Sequence, residues 1–465
     1  MRRAAGAGRD RLFGTDGVRG PANTVLTPEL ALSLGRAGAF VLGDGAPVAR
    51  LVMGRDTRVS GPLLAWAAGA GVLSAGVDLI DLGVFPTAGI AFLTRALPAA
   101  AGLVISASHN PFGDNGIKFF AADGAKLSEE REAEIERYAA VNPELLPHPG
   151  GRGVGRLLEA GDAREQYVRH VAGTAVSRLD GMRILVDCAN GATSGFAAEV
   201  LRRLGARVQE RAAEPDGCNI NQDSGSTHPG QLSAATASGG YDVGLAFDGD
   251  GDRLIAIDRK GEIVDGDDIL AICGLDLLSR GMLPGRTVAA TVMSNLALDE
   301  AMRQAGGRVV RTAVGDRHVY AAMRREGLSL GGEQSGHVIF LDHHTTGDGL
   351  ITAVQLLDVL ARRGVGLDEV PGRLRRFPQV HRSVRVEDRA VLAALPEDPQ
   401  VKKAVDEARC FLGDSGRVVL RPSGTEPVLR IMVETRIQCD AERLAGELAG
   451  AVTAAAARPA GRAGR

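Results

Sequence analysis

The chain has 465 residues, with 54 Lys and Arg against 57 Asp and Glu, a net charge of −3, and 45% hydrophobic residues. At the usual ~150 residues per domain this length suggests about three domains, each able to bury a core. The balanced charge gives no electrostatic reason to expect nucleic acid or an anionic membrane as a partner, and no apolar run approaches the ~18–20 residues of a membrane span.

Residues 1–10 are mostly Arg, Ala and Gly with no apolar stretch behind them, so they read as a disordered leader and not a signal peptide. Short apolar strands then alternate with helices. Residues 50–54 read as a strand, Pro62 to about Ala75 as an apolar helix with Ser60 or Gly61 near its cap, and 77–80 as a second strand. The order recurs at 183–187, 194–204 and 206–208, and again at 287–292, 296–305 and 308–311. Three β-α-β units at this spacing predict three similar α/β domains. The pattern changes after residue 380. Segments 383–386, 417–420 and 428–433 alternate as half-exposed antiparallel strands, with helices near 397–408 and 440–456, which predicts a smaller α+β domain. The expected domains are 11–160, 161–262, 263–375 and 376–453, followed by a disordered tail at 454–465. Gly151–Gly155 and Pro371–Gln379 read as linker or hinge. Five cysteines lie far apart with no CxxC pair, which suggests reduced thiols in a cytosol, not disulfides or a zinc site.

Four loops have the residues for chemistry. Asp248-Gly249-Asp250-Gly251-Asp252-Arg253 follows the strand 241–247. Three carboxylates at alternate positions repel one another unless a cation lies between them, and glycines at 249 and 251 let the backbone curl so that they converge. All-oxygen ligation points to Mg²⁺, Mn²⁺ or Ca²⁺. An EF-hand is excluded, because its sixth and twelfth places are Arg253 and Arg259. Ser106-Ala107-Ser108-His109-Asn110-Pro111 follows the strand 102–104 and offers a serine without the G-x-S-x-G elbow. Adjacent strand residues face opposite ways, so His109 is expected to be a poor base for Ser108, and the serine suits a phosphoryl carrier; an ordinary Ser-rich turn fits these residues equally. Gly332-Glu333-Gln334-Ser335-Gly336-His337 supplies donors and acceptors for a hydroxyl-rich ligand, or is a plain polar turn. Arg421-Pro422-Ser423-Gly424-Thr425-Glu426-Pro427, with Arg430, suits a phosphate dianion and is not a Walker A loop.

These four loops resemble, in order, the signature loops of the α-D-phosphohexomutase superfamily. Phe13 to Gly20, Asn115 to Phe120, Val314 to Arg317, the Glu-Gln-Ser-Gly-His form of the third loop and Thr345 to Gly349 narrow the resemblance to the bacterial phosphoglucosamine mutases, from about Arg11 to about residue 450. The resemblance implies a four-domain, heart-shaped enzyme with three α/β domains and a TATA-binding-protein-like α+β domain. It implies interconversion of glucosamine 6-phosphate and glucosamine 1-phosphate, feeding UDP-N-acetylglucosamine synthesis. A phosphoserine at Ser108 would carry the phosphoryl group, and Mg²⁺ would be held by Asp248, Asp250, Asp252 and the seryl phosphate. Lys118 and His337 match general acid/base positions, and Arg19 and Arg253 match charges near the seryl phosphate. His109 would position the serine loop. Glu333 and Ser335 would bind sugar hydroxyls, and Arg421, Ser423, Gly424, Thr425 and Arg430 the distal phosphate. Lys118 acts as a base only if its pKa falls well below ~10.4. The resemblance also implies a hexose 1,6-bisphosphate (glucosamine 1,6-bisphosphate or a relative) as intermediate and activator, a cytoplasmic location and a homodimer. Competing readings are a phosphomannomutase/phosphoglucomutase, a Mg²⁺-dependent sugar-phosphate phosphatase and a non-catalytic sugar-phosphate-binding regulator.

Overall fold

A computed structural model describes residues 12–14, 16–43, 49–140, 146, 148–423 and 426–458; the expected leader lies outside them. The described residues form two compact units, one of residues up to Thr291 with Gly307–Arg373, the other of Val292–Gly306 with the chain from Leu374. The second division falls inside the stretch expected to be a hinge.

The first unit holds three sheets. The first begins with β1 (Val18–Pro21), α1 (Pro28–Gly43), β2 (Arg50–Arg55), α2 (Gly61–Ser74) and β3 (Asp78–Val84). It continues through α3 (Thr87–Ala96), β4 (Ala101–Ile105), β5 (Asp114–Ala121), α4 (Glu129–Ala140), β6 (Leu157–Leu158) and α5 (Ala163–Ala172). Its order is β1-β5-β4-β2-β3-β6, with β2 parallel to β3 and β4. The second sheet comes from β7 (Arg183–Asp187), α6 (Phe196–Arg203), β8 (Arg207–Arg211), α7 (Gly230–Gly239), β9 (Val243–Phe247), β10 (Leu254–Asp258) and β11 (Ile263–Val264), in the order β11-β10-β9-β7-β8. After α8 (Gly266–Ser279), the third comes from β12 (Thr287–Thr291), α9 (Leu296–Gln304), β13 (Arg308–Thr312), α10 (Asp316–Glu326), β14 (Leu330–Gly332), β15 (Val338–Phe340) and α11 (Gly349–Arg363), in the order β13-β12-β14-β15.

One arrangement is repeated in all three. A first strand (β2, β7 or β12) lies between a second (β3, β8 or β13) and a third (β4, β9 or β14), all parallel. The connections therefore depart to opposite sides between the first and third strands, and a ligand crevice opens at the carboxyl ends there. The serine loop follows β4, the acidic loop follows β9 and the Glu333 loop follows β14. Strands β4, β9 and β12 are wholly buried, which explains why they read as continuous apolar runs.

The second unit is α+β. Strands β16 (Gln379–Arg385), β17 (Gly416–Pro422) and β18 (Val428–Thr435) form an antiparallel sheet with β18 central, alongside α12 (Arg389–Ala394), α13 (Pro399–Leu412) and α14 (Gln438–Ala456). Val418, Leu429, Ile431 and Val433 join α13 and α14 residues such as Val401, Leu444 and Leu448 in one core. Helix α9 belongs to this unit, although in the chain it joins β12 to β13. Buried Glu434 accepts a hydrogen bond from the Leu296 N–H (2.7 Å) and pairs with Arg417 (2.7 Å).

Three local readings change. Ser60 precedes α2 but makes no capping bond; its hydroxyl instead accepts from Asn115 Nδ2 at 2.9 Å. The expected linker at Gly151–Gly155 packs down, with Gly155 N–H donating to Leu73 O at 3.0 Å. Helix α14 runs to Ala456, into the stretch expected to be a tail, because Val452 and Ala455 are buried in its core. No helix among the described residues is long and apolar enough to cross a membrane.

His344 ties the third sheet's segment to the first. Its Nε2–H donates to Ala88 O (2.9 Å), and its Nδ1 accepts from the Thr345 N–H (2.8 Å). That tautomer is neutral. Burial pushes its pKa down to about 3, with His170 and Arg95 adding to the effect and Ala88 O opposing it. The unfolded chain, with histidine near ~6.5, binds the extra proton first, so this contribution is complete above ~6.5 and is lost as pH falls toward 3. Asp348, which burial raises to about 6, acts with the opposite sign between ~3.9 and 6. His170 and His343 are also pushed down by burial and share the acid sensitivity. We expect the drop in melting temperature between pH 7.5 and pH 5 to be smaller in His344→Gln than in the parent chain; an equal drop would contradict this assignment.

Candidate active site

Ser108 is 1% exposed and sits at φ 51°, a left-handed conformation that is uncommon for serine. The loop is held from below. Arg58, fully buried, pairs with Asp56 (2.9 Å) and donates to the carbonyls of Ser108 (2.9 Å), Asn110 (2.8 Å) and Asp114 (2.9 Å). Asp56 accepts from Ser106 Oγ (2.6 Å), whose oxygen accepts the Ser108 N–H (2.9 Å). Asp56 and Arg58 follow β2, next to β4 in the sheet. The sequence reading gave them no role, although their place after a predicted strand was the available signal.

The turn also corrects the expectation for His109. Ser108 and His109 lie beyond the end of β4, so strand alternation does not separate them, and His109 Nδ1 is 3.3 Å from Ser108 Oγ. Burial pushes His109 down to about 4, helped by Arg253 and Arg19, so its ring is neutral at pH 7.

The Ser108 hydroxyl donates to Asp248 Oδ2 at 2.6 Å, joining the serine and acidic loops. Asp248, Asp250 and Asp252 are 1%, 1% and 5% exposed. One oxygen of each lies within 4.8 Å of the others. Asp250 Oδ1 and Asp252 Oδ1 are buried without a hydrogen-bond partner. Bare buried carboxylate oxygens are costly, and three that converge fit a hard divalent cation. Burial raises Asp248 well above the usual carboxylate range, and Asp252 and Asp250 add to the effect. Asp252 moves the other way: burial would raise it, but His337, Lys118 and Arg253 outweigh burial. Gly251 has φ 77°, as the curled loop requires. Gly249 has a different task from the one expected, since a Cβ there would lie 2.7 Å from Ser108 O.

The remaining Asp250 oxygen, Oδ2, accepts from Thr87 Oγ1 (2.6 Å) and Lys118 Nζ (3.0 Å), while Thr87 N–H donates to Asp250 O (2.9 Å). Thus α3 directs its positive end at the acidic loop. Lys118 also approaches Asp16 (3.7 Å) and Asp252 (4.0 Å). Burial would lower its pKa, but Asp16, Asp250 and Asp252 outweigh it and raise it well above normal. The condition set for a Lys118 base is therefore not met: the side chain is held as an ammonium. Arg19 pairs with Asp16 and donates to Ala107 O at 3.3 Å. Arg253 Nε is 3.8 Å from Asp252.

His337 lies between two carboxylates, with Nδ1 3.5 Å from Asp252 and Nε2 3.4 Å from Asp316. The Gly347 N–H, 3.1 Å from Nε2, suits an unprotonated nitrogen instead. Asp252 and Asp316 win over burial and the Lys126 charge, and raise the imidazole to about 9. Lys126 links Asp16 to Asp316. Thr87, Asp16, Lys126 and Asp316 had no assigned role in the sequence, because what they do depends on partners far along the chain.

Glu333 Oε1 accepts from the Gly315 N–H at 3.0 Å, and Ser335 is exposed. The loop is pinned to the acidic loop through Leu254 N–H to Gly336 O at 3.0 Å. The first unit therefore brings together Ser108, His109, the three aspartates, Lys118, Arg19, Arg253 and His337, with the Glu333 loop alongside.

In the second unit, Arg421 and Arg430 stand directly opposite each other on β17 and β18, and Ser383 faces Arg430 from β16. They line a pocket of about 200 Å³ with His381 and Arg382. Arg430 pairs with Glu426 at 2.5 Å. Like charges directly across a strand pair repel, an arrangement an anion relieves. Ser423 Oγ accepts from the Glu426 N–H at 3.3 Å, while Gly424 and Thr425 lie outside the described residues.

Comparison with known families covers the chain in four segments. They match phosphoglucomutase/phosphomannomutase alpha/beta/alpha domain I at 10–144, domain II at 165–261, domain III at 265–377 and the C-terminal domain at 383–451. A phosphoglucosamine mutase of Desulforudis audaxviator is 52% identical over 442 residues, 95% of this chain and 98% of that protein. One from Pelotomaculum thermopropionicum is 50% identical over 437 residues, 94% and 98% of the two chains. Among solved structures, a phosphoglucomutase/phosphomannomutase family protein from Burkholderia thailandensis matches with TM-score 0.81 and 28% identity over 96% of this chain and 97% of that one. With four ordered α/β and α+β segments matched, and relatives this similar along nearly their whole length, the chain belongs to the phosphoglucomutase/phosphomannomutase family, in its phosphoglucosamine mutase branch.

Proposed function

We propose that this chain is an isomerase that interconverts glucosamine 6-phosphate and glucosamine 1-phosphate through a phosphorylated Ser108. The observation that carries the reading is the Ser108 hydroxyl 2.6 Å from Asp248, beside two buried carboxylate oxygens that accept no hydrogen bond. Relatives 52% and 50% identical are named phosphoglucosamine mutases, which supports the amino sugar as substrate.

In the forward direction the phosphoryl group leaves Ser108 Oγ and bonds to O1 of glucosamine 6-phosphate, while O1 loses its proton. The resulting 1,6-bisphosphate turns over, its 6-phosphoryl group returns to Ser108 Oγ, and O6 gains a proton. Atoms and charge balance, and the serine ends as it began. Asp248, Asp250 and Asp252, with the seryl phosphate, would hold Mg²⁺. That ion supplies charge neutralisation at the transferring phosphoryl group. Lys118, an ammonium held by carboxylates and matching a general acid/base position of the family, is suited to set a positive charge and a hydrogen-bond donor beside an oxygen leaving phosphorus. His337, between Asp252 and Asp316, is the other candidate for proton transfer. Arg19 and Arg253 supply positive charge beside the serine and acidic loops. Neutral His109 orients the free hydroxyl. Glu333 and Ser335 suit sugar hydroxyls, and the Arg421–Arg430 pair, with Ser423, Gly424 and Thr425, suits the phosphate that is not in transfer. Magnesium, a trace of hexose 1,6-bisphosphate as activator, a cytoplasmic location and a homodimer belong to the same reading.

Two measurements test it. We expect kcat/KM for glucosamine 1-phosphate to exceed that for glucose 1-phosphate with Mg²⁺ and trace bisphosphate. Ser108→Ala should lose on the order of 10³-fold or more. A preference for glucose would move the chain to phosphoglucomutase activity, and an active Ser108→Ala would end the phosphoserine mechanism. Thr87→Val removes the hydroxyl that holds Asp250 Oδ2. Calorimetric titration with Mn²⁺ should show affinity lowered ~10–100-fold, the usual cost of losing a group that orients a metal ligand.

A further inference from the structure

The reactive hydroxyl of Ser108 is held to the acidic loop by one bond, but the backbone of the serine is held from two domains at once. Ser108 O accepts from Arg58 Nη2 (2.9 Å) and from Asn221 Nδ2 (2.9 Å). Asn110 O accepts from the same two groups, at 2.8 and 3.1 Å. Arg58 follows β2 and shares the sheet of the serine loop. Asn221 lies between β8 and α7, in the domain that carries Asp248, Asp250 and Asp252. Its backbone N–H donates to Ala189 O at 2.9 Å, and its φ of 59° is one that asparagine adopts readily. Asn221 is 8% exposed. Its amide passes so close to the acidic loop that a Cβ on Gly249 would lie 2.8 Å from Nδ2.

Arg58 alone satisfies both carbonyls, so the second donor is not needed to pair them. What Asn221 adds is a link between the serine backbone and the domain of the aspartates. We propose that Asn221 is a positioning residue for phosphoryl transfer, setting the reach of the Ser108 oxygen to the acidic loop. This rests on the phosphoserine reading above. Transfer between oxygens is sensitive to placement, and a shift of about 1 Å can cost ~10²-fold.

Replacing Arg58 would leave Asp56 as an unpaired buried charge and unfold the loop, so the test uses Asn221. Asn221→Gly keeps the left-handed backbone without strain and removes the amide. Asn221→Asp keeps the shape and loses the donor. In the full chain with Mg²⁺, kcat, KM for glucosamine 1-phosphate, melting temperature and the single-turnover rate of Ser108 phosphorylation by glucose 1,6-bisphosphate (read by intact mass) are measured together. The expected result for the glycine variant is a kcat lowered ~10–100-fold, an equal fall in the phosphorylation rate, KM within about threefold and an unchanged melting temperature; the aspartate variant, which sets a buried carboxylate against two carbonyl oxygens, loses at least as much kcat and phosphorylation rate and also melts lower. The proposal is overturned if the glycine variant keeps kcat within about twofold of the parent. It is also overturned if activity falls only together with melting temperature while Ser108 is phosphorylated at the parental rate. Ser108→Ala, run alongside, separates the two ideas: activity in that variant removes the phosphoserine reading itself, whereas an inactive Ser108→Ala beside unimpaired Asn221 variants removes this inference alone.

Discussion

Three aspartates buried within a few ångströms of one another are the constraint around which the first unit is arranged. Their mutual repulsion in a site of low polarity would expel the loop unless positive charge met it from several sides. Lys118 comes from β5, Arg253 from the loop's own end and His337 from the loop after β14. The N-terminus of α3 supplies dipole and hydroxyl together through Thr87. Lys118, Arg253 and His337 are each pulled from their ordinary titration behaviour by these carboxylates, which is the pattern expected of a catalytic centre. The polarity is not fully met, since Asp250 Oδ1 and Asp252 Oδ1 accept no hydrogen bond, and a divalent cation suits them.

The convergence has a topological origin. All three sheets of the first unit place a first strand between a second and a third, and each loop of interest follows the third. A single rule of open α/β sheets therefore aims three loops from three sheets outward from their carboxyl ends. The loops are then locked to one another by short backbone contacts, such as Leu254 N–H to Gly336 O and Gly349 N–H to Gly251 O at 3.0 Å. Small residues are needed where they cross, and Gly249 against Ser108 O is the tightest case for the serine. The second unit uses another logic, in which one sheet face packs on α13 and α14 and the other sets Arg421 beside Arg430.

Ser108 shows how strain is kept at a working position. A left-handed serine is unfavourable alone, but its N–H and C=O are both satisfied by buried partners that are themselves paired. Arg58, Asp56 and Ser106 form a closed circuit around it, so relaxing the backbone would break several buried bonds for one improved torsion.

The sequence alone determined the elements and the chemistry of the loops. Strand 183–187 matches its predicted span, because a continuous apolar run of that length forms a buried strand. The acidic loop, the serine loop and the arginine loop were legible because their residue types sit within a few positions of one another. Tertiary structure decided everything that depends on distant partners. It bonded Asp56, Arg58, Thr87 and Asn221 to loops 50 to 163 residues away in the chain, and it gave Gly249 a close approach where a curl was expected. It put His109 beside Ser108 by ending the strand before them, and it kept Lys118 charged by surrounding it with Asp16, Asp250 and Asp252. Local pattern reports what a residue is able to do; burial and long-range neighbours set its charge state and geometry, and neither is written at the position itself.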